Sequence, residues 1–190
     1  DLGTTNTVLS YVDLEAGEEA AVQVLPIPQV VAPGVVEERD HLPSFLYLAA
    51  GPEFSGSALD LPWAKGRDHA VGELARKQGA EVPSRLVSSA KSWLCHGGVD
   101  RAAPILPWQA PEEVAQISPL EASARYLAHL RDAWNWCMAQ GDEGLQLEAQ
   151  DVVLTVPASF DAAARELTVE AARAAGLNVR LLEEPQAAFY

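Results

Sequence analysis

A strand, a helix and a second strand follow one another near the end of the chain, and this unit constrains the fold more than any other feature. Residues 151–156, DVVLTV, form a continuous apolar run, which is typical of a strand buried on both faces. Pro157 ends the run, Asp161 is a good helix N-cap, and Gly176 is placed to end the helix. Residues 178–182, NVRLL, predict the second strand. Because a helical crossover joins parallel strands, the sequence predicts an α/β fold.

The beginning of the chain carries an antiparallel pattern. Residues 7–12 and 20–25 are β-branched and apolar, and the acidic, Gly-containing stretch between them predicts a hairpin loop. Three prolines between residues 26 and 33 interrupt the strand pattern, and the next predicted strand is 44–49, SFLYLA. The two ends of the chain therefore predict a mixed sheet flanked by helices.

Three segments between these ends predict helices. Residues 70–79 predict a short strand end that continues into a helix ended by a glycine, and residues 84–94 predict a second short helix. Ser118 as N-cap and Glu121 three positions later match a capping box. Apolar residues at helical spacing then extend this third helix to about Gln140.

The regular patterns also predict a division of the chain into two lobes. Segments 1–40 and 114–190 carry the strand and helix patterns, whereas 41–113 has less regularity. We expect 1–40 and 114–190 to form one mixed α/β lobe, with 41–113 inserted as a smaller α/β lobe. A chain of 190 residues can bury enough surface for this without a disulfide or a structural metal.

The charge of the chain restricts its partners. The formal net charge is −14, which repels phosphate backbones and anionic lipid, so nucleic-acid and membrane partners are not expected. A single nucleotide can still bind where the site is locally cationic or recruits Mg²⁺. Cys95 and Cys137 lie far apart and in no motif, which fits a reducing compartment such as the cytoplasm.

The first seven residues, DLGTTNT, combine an acid with a glycine turn rich in hydroxyl groups. Backbone N–H groups of such a turn can converge on an anion, and threonine hydroxyls add further donors. Asp1 beside them would repel a bare phosphate, so a divalent cation held through water is expected between the two. An ordinary hairpin turn remains the alternative explanation for this segment alone.

Four motifs together resemble the DnaK-type, seventy-kilodalton heat-shock chaperone family. They are DLGTT at the start, TVPASF at 155–160, AGL at 175–177 and EPQAA at 184–188. Three intervening segments also look like the family's in order and spacing: LPSFLYL (42–48), AVGELARKQ (70–78) and SSAKSWL (88–94). The likeness is weakest at 50–68 and 95–115.

The resemblance implies the first half of an actin-like, ribonuclease-H-like ATPase fold, with both ends of the chain expected to be cut points in a longer protein. ATP or ADP with Mg²⁺ would lie between this lobe and a second one outside the chain. The whole protein would be a chaperone that couples ATP hydrolysis to binding of unfolded polypeptides and works with co-chaperones. The chain alone is expected to have little ATPase activity.

The resemblance also implies roles at the first turn. Asp1 would anchor Mg²⁺ through its water shell. Gly3, Thr4, Thr5 and Asn6 would wrap the β- and γ-phosphates.

Further roles fall in the later segments. Lys91 would steady the attacking water and offset negative charge, and Glu184 would orient that water or accept its proton. Pro157 and Arg165 match positions that relay the nucleotide state to the peptide-binding domain. Glu183, where the family usually has Asn, is expected to be a solvated surface acid.

Two other functions remain open at this point. A small-molecule kinase of the actin-like superfamily also uses an Asp-Gly-Thr turn, but it needs an acid as general base for its acceptor. A nucleotide-dependent interaction or filament module would bind ATP without much turnover. The Val-Pro-Ala and Glu-Pro-x-Ala-Ala elements favour the chaperone.

Overall fold

The structure is a computed structural model that describes residues 1–51 and 53–189. Its strands are β1 (Asn6–Thr7), β2 (Ser10–Tyr11), β3 (Gln23–Val24), β4 (Ile27–Ala32), β5 (Val35–Arg39), β6 (Leu42–Pro43), β7 (Phe45–Leu48), β8 (His69–Val71), β9 (Leu86–Ser88), β10 (Val152–Val156) and β11 (Val179–Glu183). Its α-helices are α1 (Glu73–Glu81), α2 (Ala90–Leu94), α3 (Pro119–Trp134), α4 (Ala162–Ala174) and α5 (Glu184–Ala187). Short 3₁₀ turns lie at Leu14–Glu19, Pro83–Arg85, Glu143–Leu145 and Leu147–Ala149, and a π turn lies at Asn135–Ala139. The fold is mixed α/β with several small sheets.

The strand–helix–strand unit forms as the sequence predicts. Strands β10 and β11 are parallel, in register from Val152 opposite Val179 to Val156 opposite Glu183. Asp161 caps α4 by accepting the Ala164 N–H at 2.7 Å. Gly176 follows the helix at φ 79°, where a side chain is disfavoured.

The expectation that this first strand is buried on both faces is wrong. Leu154 and Val156 face the core, but Val153, directly before Leu154, is 42% exposed. Among the described residues β10 pairs only with β11, in a two-stranded sheet. The face of this small sheet that carries Val153 is open to solvent.

The predicted hairpin forms, but it is shorter than expected. Strand β2 pairs antiparallel with β3, Ser10 opposite Val24 and Tyr11 opposite Gln23. The acidic stretch between them folds into the 3₁₀ turn at Leu14–Glu19. The remaining residues of 7–12 and 20–25 divide between β1 and loops.

The prolines after this hairpin do not prevent a strand. Strand β4 includes Pro28 and pairs antiparallel with β5. The Pro28 carbonyl accepts a hydrogen bond from His129, so this residue points its backbone groups away from β5. Its missing N–H therefore removes no bond between β4 and β5.

The central segment is a three-stranded antiparallel sheet in the order β8–β7–β9, with α1 packed against it. The prediction of a helix over 84–94 is wrong in its first part, because Leu86 and Val87 pair with Tyr47 and Leu46 as strand β9. Helix α1 also continues past Gly79. A Cβ at Gly79 would lie 2.4 Å from Leu86 Cδ1, so the glycine permits close packing and does not end the helix.

Helix α3 begins as predicted and forms the middle of the larger core. Ser118 Oγ accepts the Glu121 N–H at 3.0 Å. The Glu121 carboxylate binds Arg125, so only the Ser118 half of the capping box forms. The π turn then extends the helical segment to Ala139, close to the predicted end. None of the helices in residues 1–51 and 53–189 combines the length and apolar character needed to cross a bilayer.

One buried histidine connects α3 to β4. His129 is 4% exposed and its Nε2 donates to the Pro28 carbonyl at 3.0 Å. Burial, and next the charge of Arg67, lower the pKa of His129 from 6.5 to about 3. The imidazole is therefore neutral in the folded chain at pH 7.

We predict that this histidine destabilises the fold in mild acid. In the unfolded chain His129 is protonated with a pKa near 6.5, whereas in the folded chain its pKa is about 3. The stability is therefore complete above pH 6.5 and is lost as the pH falls below it. Between pH 7 and pH 5 the free energy of unfolding should fall by about 2 kcal/mol from this group. Urea unfolding at a series of pH values measures the slope.

His129→Gln should flatten that slope, because the glutamine amide can still donate to Pro28 but does not titrate. His41→Gln replaces an exposed imidazole and serves as the matched control. An unchanged slope in His129→Gln would contradict the assignment.

Candidate functional site

The first seven residues form a tight hairpin turn. Leu2 and Thr7 form an antiparallel bridge, and Val8 N–H donates to the Asp1 carbonyl at 2.9 Å. A Cβ at Gly3 would lie 2.1 Å from the Asn6 carbonyl oxygen, so only glycine fits there. Residues 4–6, Thr-Thr-Asn, are exposed. The turn therefore presents two hydroxyls and an amide at the surface.

Ser44 fixes this turn from the neighbouring strand. Its Oγ donates to the Gly3 carbonyl at 2.8 Å and lies 2.9 Å from Thr7 Oγ1, and its N–H donates to the Thr5 carbonyl at 2.8 Å. Both Ser44 and Thr7 are buried. Sequence reasoning assigned Ser44 no role, although a serine between Pro43 and an apolar strand was a signal for a buried polar contact.

Asp1 is held by the strand–helix–strand unit. Thr155 Oγ1, on β10, donates to Asp1 Oδ1 at 2.7 Å. Asp1 Oδ2 lies 3.6 Å from the position a Cβ would take at Gly3, so this second oxygen faces the turn. The structure thus joins the first turn to the end of β10.

Lys91 and Glu184 form an ion pair beside Asp1. Lys91 Nζ lies 2.7 Å from Glu184 Oε1; Lys91 is 7% exposed and Glu184 is 45% exposed. Thr155, which binds Asp1, lies opposite Leu182 in the parallel strand pair, and Leu182 is two residues before Glu184. Asp1, Lys91 and Glu184, expected to act together, are therefore brought together.

Local structure explains how Lys91 reaches this position. Helix α2 starts after Ser89, which adopts a left-handed conformation at φ 55°. The turn follows directly from β9, so α2 leaves the small sheet sharply and packs against α3 and α4. The short helix therefore buries the stem of Lys91 while its Nζ reaches α5.

Glu183 is paired, which corrects the expectation of a solvated surface acid. Its Oε1 accepts from Arg165 Nη2 at 2.7 Å, and both side chains are about one third exposed. Arg165 Nε also donates to the Phe160 carbonyl at 3.2 Å. The two adjacent acids therefore bind different cationic side chains. Glu183 binds Arg165 on α4, and Glu184 binds Lys91 on α2. Pro157 is half-buried at the turn after β10, where its carbonyl accepts the Phe160 N–H at 3.1 Å.

The segment after α2 is tied to the start of α4. Arg101 forms two hydrogen bonds with Asp161. Nη1 donates to Oδ1 and Nη2 donates to Oδ2, each at 3.0 Å. The Arg101 hydrogen bonds, with the Ala164 N–H next, lower the pKa of Asp161 to about 2. His96 stacks on Trp93 at a ring distance of 5.3 Å. Sequence reasoning did not foresee the Arg101–Asp161 pair, because 60 residues separate its partners.

The donor set fits a magnesium ion bound mainly through water. In residues 1–51 and 53–189 no group of three or more His, Cys, Asp or Glu side chains is arranged to hold a metal. Asp1 supplies one carboxylate oxygen toward a turn of oxygen-bearing side chains. Mg²⁺ prefers oxygen ligands, retains several waters, and is often held by one or two carboxylates plus phosphates. A single carboxylate suits that mode of binding.

Comparisons with known proteins establish the family. The family model for "Hsp70 protein" matches residues 62–189, which is more than half of the chain. The chain therefore belongs to the Hsp70 family, and the resemblance seen in its motifs is confirmed.

Its relatives include chaperones named HscA. Chaperone protein HscA of Edwardsiella ictaluri is 34% identical over 99% of this chain and 27% of the relative. HscA of Salmonella agona is 32% identical over 99% of this chain and 27% of the relative. HscA of Salmonella paratyphi C is 37% identical over 70% of this chain and 25% of the relative. The chain spans about a quarter of the length of these curated relatives.

We predict that Gly3→Ala disrupts the turn. The added methyl group would overlap the Asn6 carbonyl oxygen, so the backbone must move. The free energy of unfolding should fall by about 1–3 kcal/mol. Amide exchange across residues 2–7 should also become faster. Urea unfolding and hydrogen exchange measure the two effects.

Gly51→Ala is the matched control, because a Cβ there meets nothing within 4 Å. If both alanine variants are equally stable and equally protected at residues 2–7, the close contact at Gly3 is not a constraint.

Proposed function

We propose that the chain is the first lobe of an ATP-binding, ATP-hydrolysing Hsp70-type chaperone. The observation that carries the proposal is that Asp1, Lys91 and Glu184 converge at the end of β10 and β11, with Asp1 Oδ2 toward the Gly3 turn. These residues come from three separate parts of the sequence. A carboxylate, a buried ammonium group and a second carboxylate around an anion-binding turn suit phosphoryl transfer to water.

In this proposal the turn binds the phosphates of ATP and, after hydrolysis, of ADP. Gly3 allows the backbone to approach closely, and Thr4, Thr5 and Asn6 offer hydroxyl and amide donors from an exposed position. Ser44 holds the turn in shape, so little rearrangement is needed on binding. Asp1 Oδ2 faces the same turn and would hold water molecules of Mg²⁺. When bound, Mg²⁺ neutralises charge on the phosphates.

Lys91 and Glu184 would act on the attacking water. The Lys91 ammonium lies in a buried position, where its positive charge is poorly screened and can offset developing negative charge. Glu184 is half-exposed and reaches the same point, so its carboxylate can orient a water or accept its proton. The pair at 2.7 Å keeps both groups at one place.

In the proposed division of the chain, Lys91 and the first turn belong to different lobes. Residues 1–40 and 114–190 would form the ribonuclease-H-like lobe of an actin-like ATPase, and 41–113 the inserted smaller lobe. Lys91 belongs to the inserted lobe and Glu184 to the larger one, so their ion pair would lie between the two. A second ATPase lobe, outside this chain, would supply the adenosine pocket.

The coupling to polypeptide binding is part of the same proposal. Pro157 and Arg165 would transmit the nucleotide state to a peptide-binding domain, and the Arg165–Glu183 ion pair supports a fixed arrangement there. The relatives are named chaperones, which supports unfolded polypeptides as clients and co-chaperones as partners. Cys95 and Cys137 are free thiols, which fits the cytoplasm.

We predict the fate of the γ-phosphate in a single-turnover reaction of the full-length protein. With Mg-ATP it should be released as free phosphate, and faster in the presence of an unfolded peptide. Lys91→Ala should slow the chemical step by about a hundredfold or more, because a preorganised charge is removed. Lys65→Ala is the matched control, since Lys65 is a solvent-exposed lysine. Residues 1–190 alone should show no multiple turnovers.

Other outcomes would select other functions. Phosphate transferred to a small acceptor would indicate a kinase. ATP that is bound but not cleaved, equally in the wild type and Lys91→Ala, would indicate a nucleotide-dependent interaction module. Multiple turnovers by residues 1–190 alone would contradict the need for a second lobe.

A further inference from the structure

Thr155 is a polar residue in an otherwise apolar strand. It lies one position before the end of β10, opposite Leu182 in the neighbouring strand β11. The next pair in the register is Val156 with Glu183, and Glu184 follows. Thr155 is therefore close to the acidic end of β11 as well as to the first turn. Thr155 is partly exposed, and its hydroxyl donates to the carboxylate of Asp1.

The contact is short and joins distant parts of the chain. Thr155 Oγ1 lies 2.7 Å from Asp1 Oδ1, a distance typical of a hydroxyl that donates to a charged carboxylate. The two residues are 154 positions apart. The strand–helix–strand unit thus acts directly on the carboxylate of the first turn.

The two carboxylate oxygens of Asp1 have different surroundings. Oδ1 accepts the Thr155 hydroxyl, and Oδ2 faces the Gly3 turn. A carboxylate on an exposed residue samples several rotamers unless something fixes it. The hydroxyl supplies that restraint and leaves one oxygen free in a defined direction.

We propose that Thr155 is a positioning residue for the metal-linked carboxylate. By donating to Asp1 Oδ1, it directs Oδ2 toward the water shell of the cation that accompanies the phosphates. This inference rests on the proposed function, because it assigns Thr155 to the same nucleotide site. Groups that orient a metal-linked carboxylate typically change metal affinity by about 10–100-fold when they are removed.

The test is the Mg²⁺ dependence of nucleotide binding to the full-length protein. ADP binding is measured by calorimetry over a range of Mg²⁺ concentrations and also in EDTA. Thr155→Val keeps the shape and the strand preference of the residue but removes the hydroxyl. It should raise the Mg²⁺ concentration for half-maximal binding about tenfold or more. ADP affinity in EDTA should stay at the wild-type value.

Thr155→Ser is the matched control because it restores the hydroxyl, and it should recover most of the wild-type Mg²⁺ dependence. A double-mutant cycle with Asp1→Asn gives a second test. If Thr155 acts through Asp1, Thr155→Val should have little further effect in the Asp1→Asn background. Thermal unfolding of each variant confirms that the fold is retained.

The outcomes separate this inference from the proposed function. Wild-type protein that binds no ADP with Mg²⁺ would overturn both. Normal wild-type binding with an unchanged Mg²⁺ dependence in Thr155→Val would overturn the positioning role alone. An equal loss of ADP binding with Mg²⁺ and in EDTA would show that the hydroxyl only supports the fold, and would also overturn it.

Discussion

The ion pair between Lys91 and Glu184 organises the candidate site. Its partners are 93 residues apart, and each follows a β-strand that fixes its direction. Lys91 is almost fully buried, so an ammonium group without a partner there would carry a large desolvation cost. The carboxylate of Glu184 offsets part of that cost and links α2 to the end of β11. This contact joins α2 to strand β11, whose neighbour β10 binds Asp1 through Thr155.

Two adjacent acids, Glu183 at the end of β11 and Glu184 at the start of α5, bind different neighbours. Glu184 binds the cation of α2, and Glu183 binds Arg165 on α4. Consecutive residues at a strand end point in different directions, so two like charges are separated although they are adjacent in sequence. Glu183 stands where the family resemblance implies Asn, and its carboxylate forms an ion pair with Arg165 of α4.

Local sequence patterns correctly predicted the helix caps. They failed where contacts between residues far apart in sequence determine the secondary structure. The caps at Asp161 and Ser118 were predicted correctly, because an N-cap depends on residues within one turn. Leu86 was assigned to a helix, since its pairing with Tyr47 is invisible in a local window. The motif likeness located Lys91 and Glu184, but their contact needed the fold. The bond from Thr155 to Asp1 gave no signal, because a threonine is common in strands.

The two partners of the ion pair differ in exposure, and this difference bears on the proposed nucleotide site. Glu184 is 45% exposed, so solvent weakens the attraction between the two charges, although the burial of Lys91 limits this screening. Lys91 is 7% exposed and cannot lose its partner without replacement. An incoming phosphate could replace the carboxylate at small net cost, because it brings more negative charge to the same place. Glu184 would then be free to turn toward water, which its exposed position already allows. The ion pair between Lys91 and Glu184 is therefore suited to an exchange of partners at the proposed nucleotide site.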